Sequence, residues 1–140
     1  KYKWCAQERK RATYALRSVN LGNKKGHHYY MSREIMKCPD GFQVDHINHD
    51  TLDNRKINLR ICTVAENQYN QQIKNVKKTS KYKGVSWSPR HKSFRADIYK
   101  GEGHWFLGYY KDEFEAAQAY DKKAIELFGE FARPNIQDVR

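Results

Sequence analysis

The pattern of apolar and polar positions divides this chain into short strand-like runs and two longer helical segments. TYALRSV (13–19) and HHYYM (27–31) read as strands separated by the Gly/Asn/Lys turn LGNKKG, with a brief helical turn at 32–36. FQVDHI predicts a strand, 48–58 a polar loop, LRI a second strand, and the sequence from Thr63 a helix. Thr63-Val-Ala-Glu66 is a capping box, in which each side chain can satisfy the other residue's backbone N–H. It fixes the helix start and puts Asn67 on one face with Asn70, Gln71 and Lys74.

Residues 75–80, NVKKTS, lack periodicity and read as a linker. Beyond it the pattern predicts three strands and one helix. GVSW, SFRADIY and HWFLGYY alternate, with Val85, Ala96, Ile98, Trp105 and Leu107 on one side. Ser86, Arg95, Asp97, Tyr99, His104 and Phe106 fall on the other. Hairpin turns fall at SPRHK and KGEG. Asp112 is placed to cap the helix, Phe114, Ala117, Tyr120, Ala124 and Leu127 form its apolar stripe, and Gly129 is a natural stop. The helix is expected to cover one sheet face and leave the other exposed, basic and aromatic.

Charge narrows the functional classes. The 140 residues carry 27 Lys and Arg against 16 Asp and Glu, a formal charge of +11, which suits a polyanionic partner. Residues 1–80 hold 16 basic and 7 acidic side chains. Residues 81–111 hold 7 and 2, whereas 112–140 reverse the balance with 4 and 7. Two modules of this size would each bury only about 60% of their unfolded surface, so each is expected to be marginally stable alone. Cys5, Cys38 and Cys62 are an odd number without a C-x-x-C pair, which supports neither a disulfide framework nor a zinc knuckle. Free thiols in a reducing cytoplasm are expected. No apolar run reaches the length of a membrane span or signal segment. The first residue is not Met, so an N-terminal segment is expected to have been removed or left out.

The densest chemistry lies in VDHINHDTLDNRKINLRICTVAENQYN (44–70). Hydrolysis of a phosphodiester calls for a carboxylate to hold a hard cation, an imidazole to deprotonate water, and a further oxygen ligand. Asp45, His46 and the Asn residues supply all three. Adjacent strand residues point to opposite faces, so His46 is expected not to share an ion with Asp45 and is available to take a proton from water. The same reasoning makes His27 and His28 poor joint ligands. Arg60 or Arg55 could clamp a phosphate, or serve as surface charge.

Residues 41–70 resemble the HNH endonuclease family, specifically the phage and intron-associated homing branch in which the last His is replaced by Asn. The resemblance rests on Asp45-His46, on Asn58 within NLR, and on Glu66-Asn67 opening the helix. It implies a ββα-metal (His-Me finger) nuclease module over 1–74, with Asp45 and Asn67 as ligands of one Mg²⁺ or Mn²⁺ ion, and Asn70 an alternative to Asn67. His46 is then the general base, and Asn58 holds the loop and orients it.

The second half, with YKGVSW, FRADIY, FLGYY and EAAQAYDKKAIELFGEFARPN, is similar to the Apetala-2 (ethylene-response-factor type) DNA-binding domain over about 80–135. That resemblance implies a three-stranded antiparallel sheet packed on one helix, entering the DNA major groove. Ser86, Ser88, His104 and Phe106 stand where plant relatives carry Arg or Trp, so affinity carries over better than a base-reading code. Expected DNA contacts are Arg60, Lys74, Lys77, Lys78, Lys83, Arg90, Lys92, Arg95, Tyr99, His104 and Phe106, with Lys74, Lys77, Lys78 and Lys81 also readable as a solvated tether.

The sequence therefore predicts an α+β protein: a nuclease domain over 1–74, a basic linker over 75–80 and an Apetala-2-like domain over 81–136. The expected function is Mg²⁺-dependent cleavage of double-stranded DNA, by nicking, in the cytoplasm of a bacterial host and encoded by a phage or mobile element. A monomer is expected, with dimerisation on DNA as the route to a double-strand break. The competing reading is a non-catalytic, sequence-specific DNA-binding protein with a degenerate nuclease fold. An RNA partner has little support, because no RNP-type stacking segment is present.

Overall fold

The alternation at Thr13–Val19 forms a strand, β2, between β1 (Cys5–Glu8) and β3 (His27–Tyr30) in an antiparallel sheet. This is a computed structural model, which describes residues 2–10, 12–20, 22, 26–70 and 79–136. Leu16 at the centre of β2 is fully buried and pairs with both Cys5 and Tyr30. β1 carries no apolar alternation, and its pairing with β2 holds it in place. His28 engages Ser18 through Nδ1 at 2.9 Å, while the His27 ring meets Tyr29 edge-on at 4.5 Å.

Helix α1 (Met31–Met36) follows β3 directly and ends on Lys37 in the left-handed region. The Arg33 guanidinium donates to the carbonyls of Phe42, Cys38 and Pro39, at 2.6, 3.4 and 3.2 Å, and so folds the turn that leads into β4 (Gln43–His46). β4 pairs antiparallel with β5 (Leu59–Cys62) as a two-stranded sheet, and α2 (Val64–Tyr69) follows. The capping box forms in both directions: Glu66 N donates to Thr63 Oγ1 at 3.2 Å, and Thr63 N to Glu66 Oε2 at 2.7 Å.

Two compact units result, Lys1–Asn67 and Gln68–Arg140. Gln71, Lys74, Lys77 and Lys78 lie outside the described residues. In the second unit β6 (Val85–Ser88), β7 (Ser93–Lys100) and β8 (Gly103–Tyr110) form an antiparallel sheet in chain order. A bulge between Ala96 and Asp97 shifts the β7–β8 register, so that both Phe106 and Tyr109 stand on the exposed face.

α3 (Glu113–Phe128) starts at Asp112, which accepts from Glu115 N at 3.3 Å, and stops at Gly129. Its contact line is Ala116, Ala117, Tyr120, Ala124 and Phe128, packed against Val85, Ala96 and Ile98. Phe114, expected in that stripe, is 44% exposed because it precedes the line of alanines that lets the helix lie close to the sheet. Gly84 makes a similar close approach. At its φ of 74° a Cβ would overlap the Tyr120 ring and stand 2.6 Å from the Asp97 carbonyl oxygen. Fully buried side chains of the size of Ile98 contribute about 1.5–3 kcal/mol each, so this unit rests on ordinary apolar packing.

The result is a mixed α+β protein of small antiparallel sheets and few helices. None of its described helices is long and apolar enough to cross a membrane.

Candidate active site

β4 brings Asp45 and His46 to the end of a strand, where both are buried, at 7% and 5% exposure. A strand's side chains alternate, so Gln43 and Asp45 share one face while Val44 and His46 share the other. On the Gln43 face, Asn67 in α2 donates from Nδ2 to Gln43 Oε1 at 2.5 Å. That bond uses the amide nitrogen of Asn67 and not its oxygen.

Opposite Asp45 in the ladder stands Arg60. Its Nε and Nη2 both reach Asp45 Oδ2, at 2.9 and 2.7 Å. Arg60 is thus drawn into the site instead of lying on the surface. Arg55, by contrast, forks onto Asp53 through Nε at 2.8 Å and Nη2 at 2.7 Å, and remains largely exposed. The Arg55 guanidinium holds the Asp53 carboxyl well below the usual carboxylate range, helped by the Arg55 backbone N–H and the Asn48 amide.

The loop between the strands is closed by its own polar groups. Asn58, buried in a 3-10 turn (Lys56–Asn58), accepts from Asn48 N at 2.9 Å and donates to the Asp53 carbonyl at 2.8 Å, clamping both arms. Asn48 in turn accepts from Asp50 N, and Asp50 from Leu52 N, both at 2.9 Å. Thr51 ties the loop to β2 through the Thr13 carbonyl at 2.5 Å. Near the His46 ring stands Asn54, with Oδ1 at 3.3 Å from Nε2. Asn54 Nδ2 donates to the Leu52 carbonyl at 3.1 Å, which fixes the amide with its oxygen toward the imidazole. Nε2 therefore carries the ring proton, and Nδ1 is the basic nitrogen.

Two residues escaped the sequence reading, Asn54 and Gln43. An Asn-rich loop offers several equivalent amides, and only the folded path selects Asn54. Gln43 had a usable signal, since it stands two residues before Asp45 and so must share its face.

The donor set on the Gln43 face consists of a carboxylate and amide oxygens, which are hard ligands suited to Mg²⁺ or Mn²⁺. Cys62, across from Gln43, is fully buried. Burial, together with the Asp45 charge, pushes its thiol up to about 11. All three cysteines are free. Among the described residues no cluster of three His, Cys, Asp or Glu side chains gathers in the manner of a zinc site.

The second unit holds the remaining candidates. Tyr99 and Phe106 are exposed on the outer sheet face, at 63% and 50%. His104 stacks on Tyr99 at 4.4 Å and places Nε2 2.6 Å from Asp97 Oδ1. Arg95 ion-pairs with the same carboxylate at 2.6 Å and lies over Phe106 at 5.3 Å. Asp97 thus offsets part of the basic charge on this face. Arg90 and Lys92 are exposed in the β6–β7 turn, whereas Lys83 turns its Nζ onto the Tyr69 carbonyl at 2.9 Å. Asn70 is buried beyond the end of α2.

The Asp45–His46 hairpin and the capped helix that follows lie within residues 36–69, which match the family model for HNH endonucleases. Over 139 residues, 99% of the chain, the sequence is 34% identical to an uncharacterised HNH endonuclease of Acanthamoeba polyphaga mimivirus, spanning 69% of that protein. It is 32% identical over 96 residues to Protein 3.8 of Escherichia phage T7, covering 68% of this chain and 77% of that relative. No solved structure matches the chain. The chain belongs to the HNH endonuclease family.

Proposed function

We propose that the protein is a Mg²⁺- or Mn²⁺-dependent DNA endonuclease of homing type that hydrolyses phosphodiester bonds and nicks one strand, with one ion per site. Its hairpin and α2 are read as a ββα-metal module. The observation that carries this reading is the buried Asp45–His46 pair, with the carboxylate and the imidazole on opposite faces of β4. In this reading Asp45 and the Asn67 amide oxygen hold the cation. When bound, it supplies charge neutralisation at the scissile phosphate and the departing 3′ oxygen. His46 Nδ1 takes the proton of the attacking water, and the Asn54 contact at Nε2 keeps the ring in the tautomer that can do so. Asn58 is a positioning residue. By clamping Asn48 and Asp53 it fixes the loop that carries Asn54.

The second unit is read as an Apetala-2-like module that grips duplex DNA. Tyr99, His104, Phe106 and Arg95 on the sheet, with Arg90 and Lys92 in the turn, supply its contacts, and the formal charge of +11 supports a polyanionic partner. One such site stands among the described residues, which favours a nicking monomer; a double-strand break would require a dimer on DNA. Viral and phage relatives support action inside an infected host cell.

Supercoiled plasmid incubated with the protein and Mg²⁺ should relax to nicked circles, and EDTA should abolish the product. Absence of relaxed or linear DNA with every divalent cation tried would return the protein to the class of non-catalytic DNA binders.

A further inference from the structure

The position of Arg60 raises a problem that the proposed chemistry does not solve. A carboxylate meant to hold a divalent cation is already held by a cation of the protein itself. The Arg60 side chain is 12% exposed and that of Asp45 8%. Nε and Nη2 converge on the single oxygen Oδ2, and the two residues are direct partners in the β4–β5 ladder. Nothing about this placement resembles a chance surface pair.

We propose that Arg60 is a positioning residue that occupies Asp45 in the DNA-free protein and transfers to a DNA phosphate when the divalent cation enters. The inference rests on the reading of Asp45 as a metal ligand. A buried carboxylate without a counter-charge is strongly disfavoured, so a site awaiting its ion needs an internal cation to keep its geometry. Guanidinium is suited to that task because it is permanently charged and its planar fork fits carboxylates and phosphates alike. A divalent ion approaching Oδ2 meets a like charge there. The Arg60 charge beside Asp45 opposes that entry, and departure of the fork is favoured where a second anion accepts it. The phosphodiester is that anion. Metal binding and DNA binding each strengthen the other by the same factor, since coupling of this kind is reciprocal.

The test uses the full chain and Mn²⁺ alone, with bound ion measured from the loss of the free-ion EPR signal. Arg60→Gln is expected to bind Mn²⁺ about tenfold or more tightly than the unaltered protein without DNA, a difference of about 1.4 kcal/mol. Adding a duplex in a His46→Ala background, where cleavage is suppressed, should tighten Mn²⁺ binding in the Arg60-containing protein and tighten it less in Arg60→Gln. A purely structural Arg60 would have the opposite signature, with weaker Mn²⁺ binding after its removal. Equal or weaker Mn²⁺ affinity in Arg60→Gln overturns the proposal. Should Arg60→Gln fail to fold, Arg60→Lys keeps the charge without the fork and should show intermediate tightening; unchanged affinity there is equally fatal. Asp45→Asn separates the two levels of the argument, because undiminished Mn²⁺ binding in that variant would refute the metal site itself.

Discussion

The hairpin unit and the sheet-and-helix unit bury different kinds of residue. In the second unit the buried set is mainly apolar, with Val85, Ala96, Ile98, Ala116, Ala117, Tyr120, Ala124 and Phe128 meeting across one interface. In the first, Leu16, Leu59 and Cys62 share the interior with Ser32, Asp45, His46 and Asn58. Polar groups have taken places that an ordinary core would give to aliphatic ones. Each must then be satisfied by a specific partner, because an unpaired buried polar group costs about 1–3 kcal/mol. The first unit therefore depends on a chain of named hydrogen bonds, and the second on area and shape together with the fully buried Asp121, which accepts from the backbone N–H groups of Asn135 and Ile136.

That contrast can be broken most severely at Gly84. Gly84→Ala should lower the stability of the second unit by about 3 kcal/mol or more, since positive φ and overlap with Tyr120 act together. The reading is a thermal or urea transition followed at amides of each unit, with the Asn58–Asn48 loop unaffected. A neutral result would show that the helix does not lie as close to the sheet as described.

A smaller effect is expected at Asn58. Asn58→Ala strips partners from the Asn48 N–H and the Asp53 carbonyl, and should destabilise the first unit by about 1–3 kcal/mol. Hydrogen exchange at Asn48 should accelerate while α3 keeps its protection. If exchange is unaltered, the loop is closed by something other than this amide.

The smallest effect concerns pH. Because the folded pKa of Asp53 is depressed by Arg55, its contribution to the loop is present above the ordinary aspartate value of about 3.9 and is lost as pH falls through the folded value. Local exchange in 48–58 should rise only under acidic conditions below about pH 4, and Asp53→Asn should remove that dependence. The second unit should show no matching change at those amides.

Legibility in the sequence followed the same division. Helix α3 was readable at both ends because Asp112 and Gly129 are local signals, and its burial line was readable at Ala117, Tyr120 and Ala124 but not at the exposed Phe114 or the buried Ala116, Asp121 and Phe128. The two hairpin strands and the capping box at Thr63 were equally local. β1 was not, since CAQE has no apolar period and depends on pairing with β2. Within the candidate site, motif spacing singled out Asp45, His46, Asn58 and Asn67. It said nothing of Asn54, nor of the Asp45–Arg60 pair, because a loop between paired strands does not by itself fix which residues face each other across the ladder.

The most direct measurement is the cleavage rate of His46→Ala on a DNA duplex, taken beside its affinity for that same duplex. The loss of a general base should slow cleavage by about 10² to 10⁴ while binding is retained. A variant that cuts as fast as the unaltered protein would contradict the assignment of His46 and, with it, the mechanism built on β4.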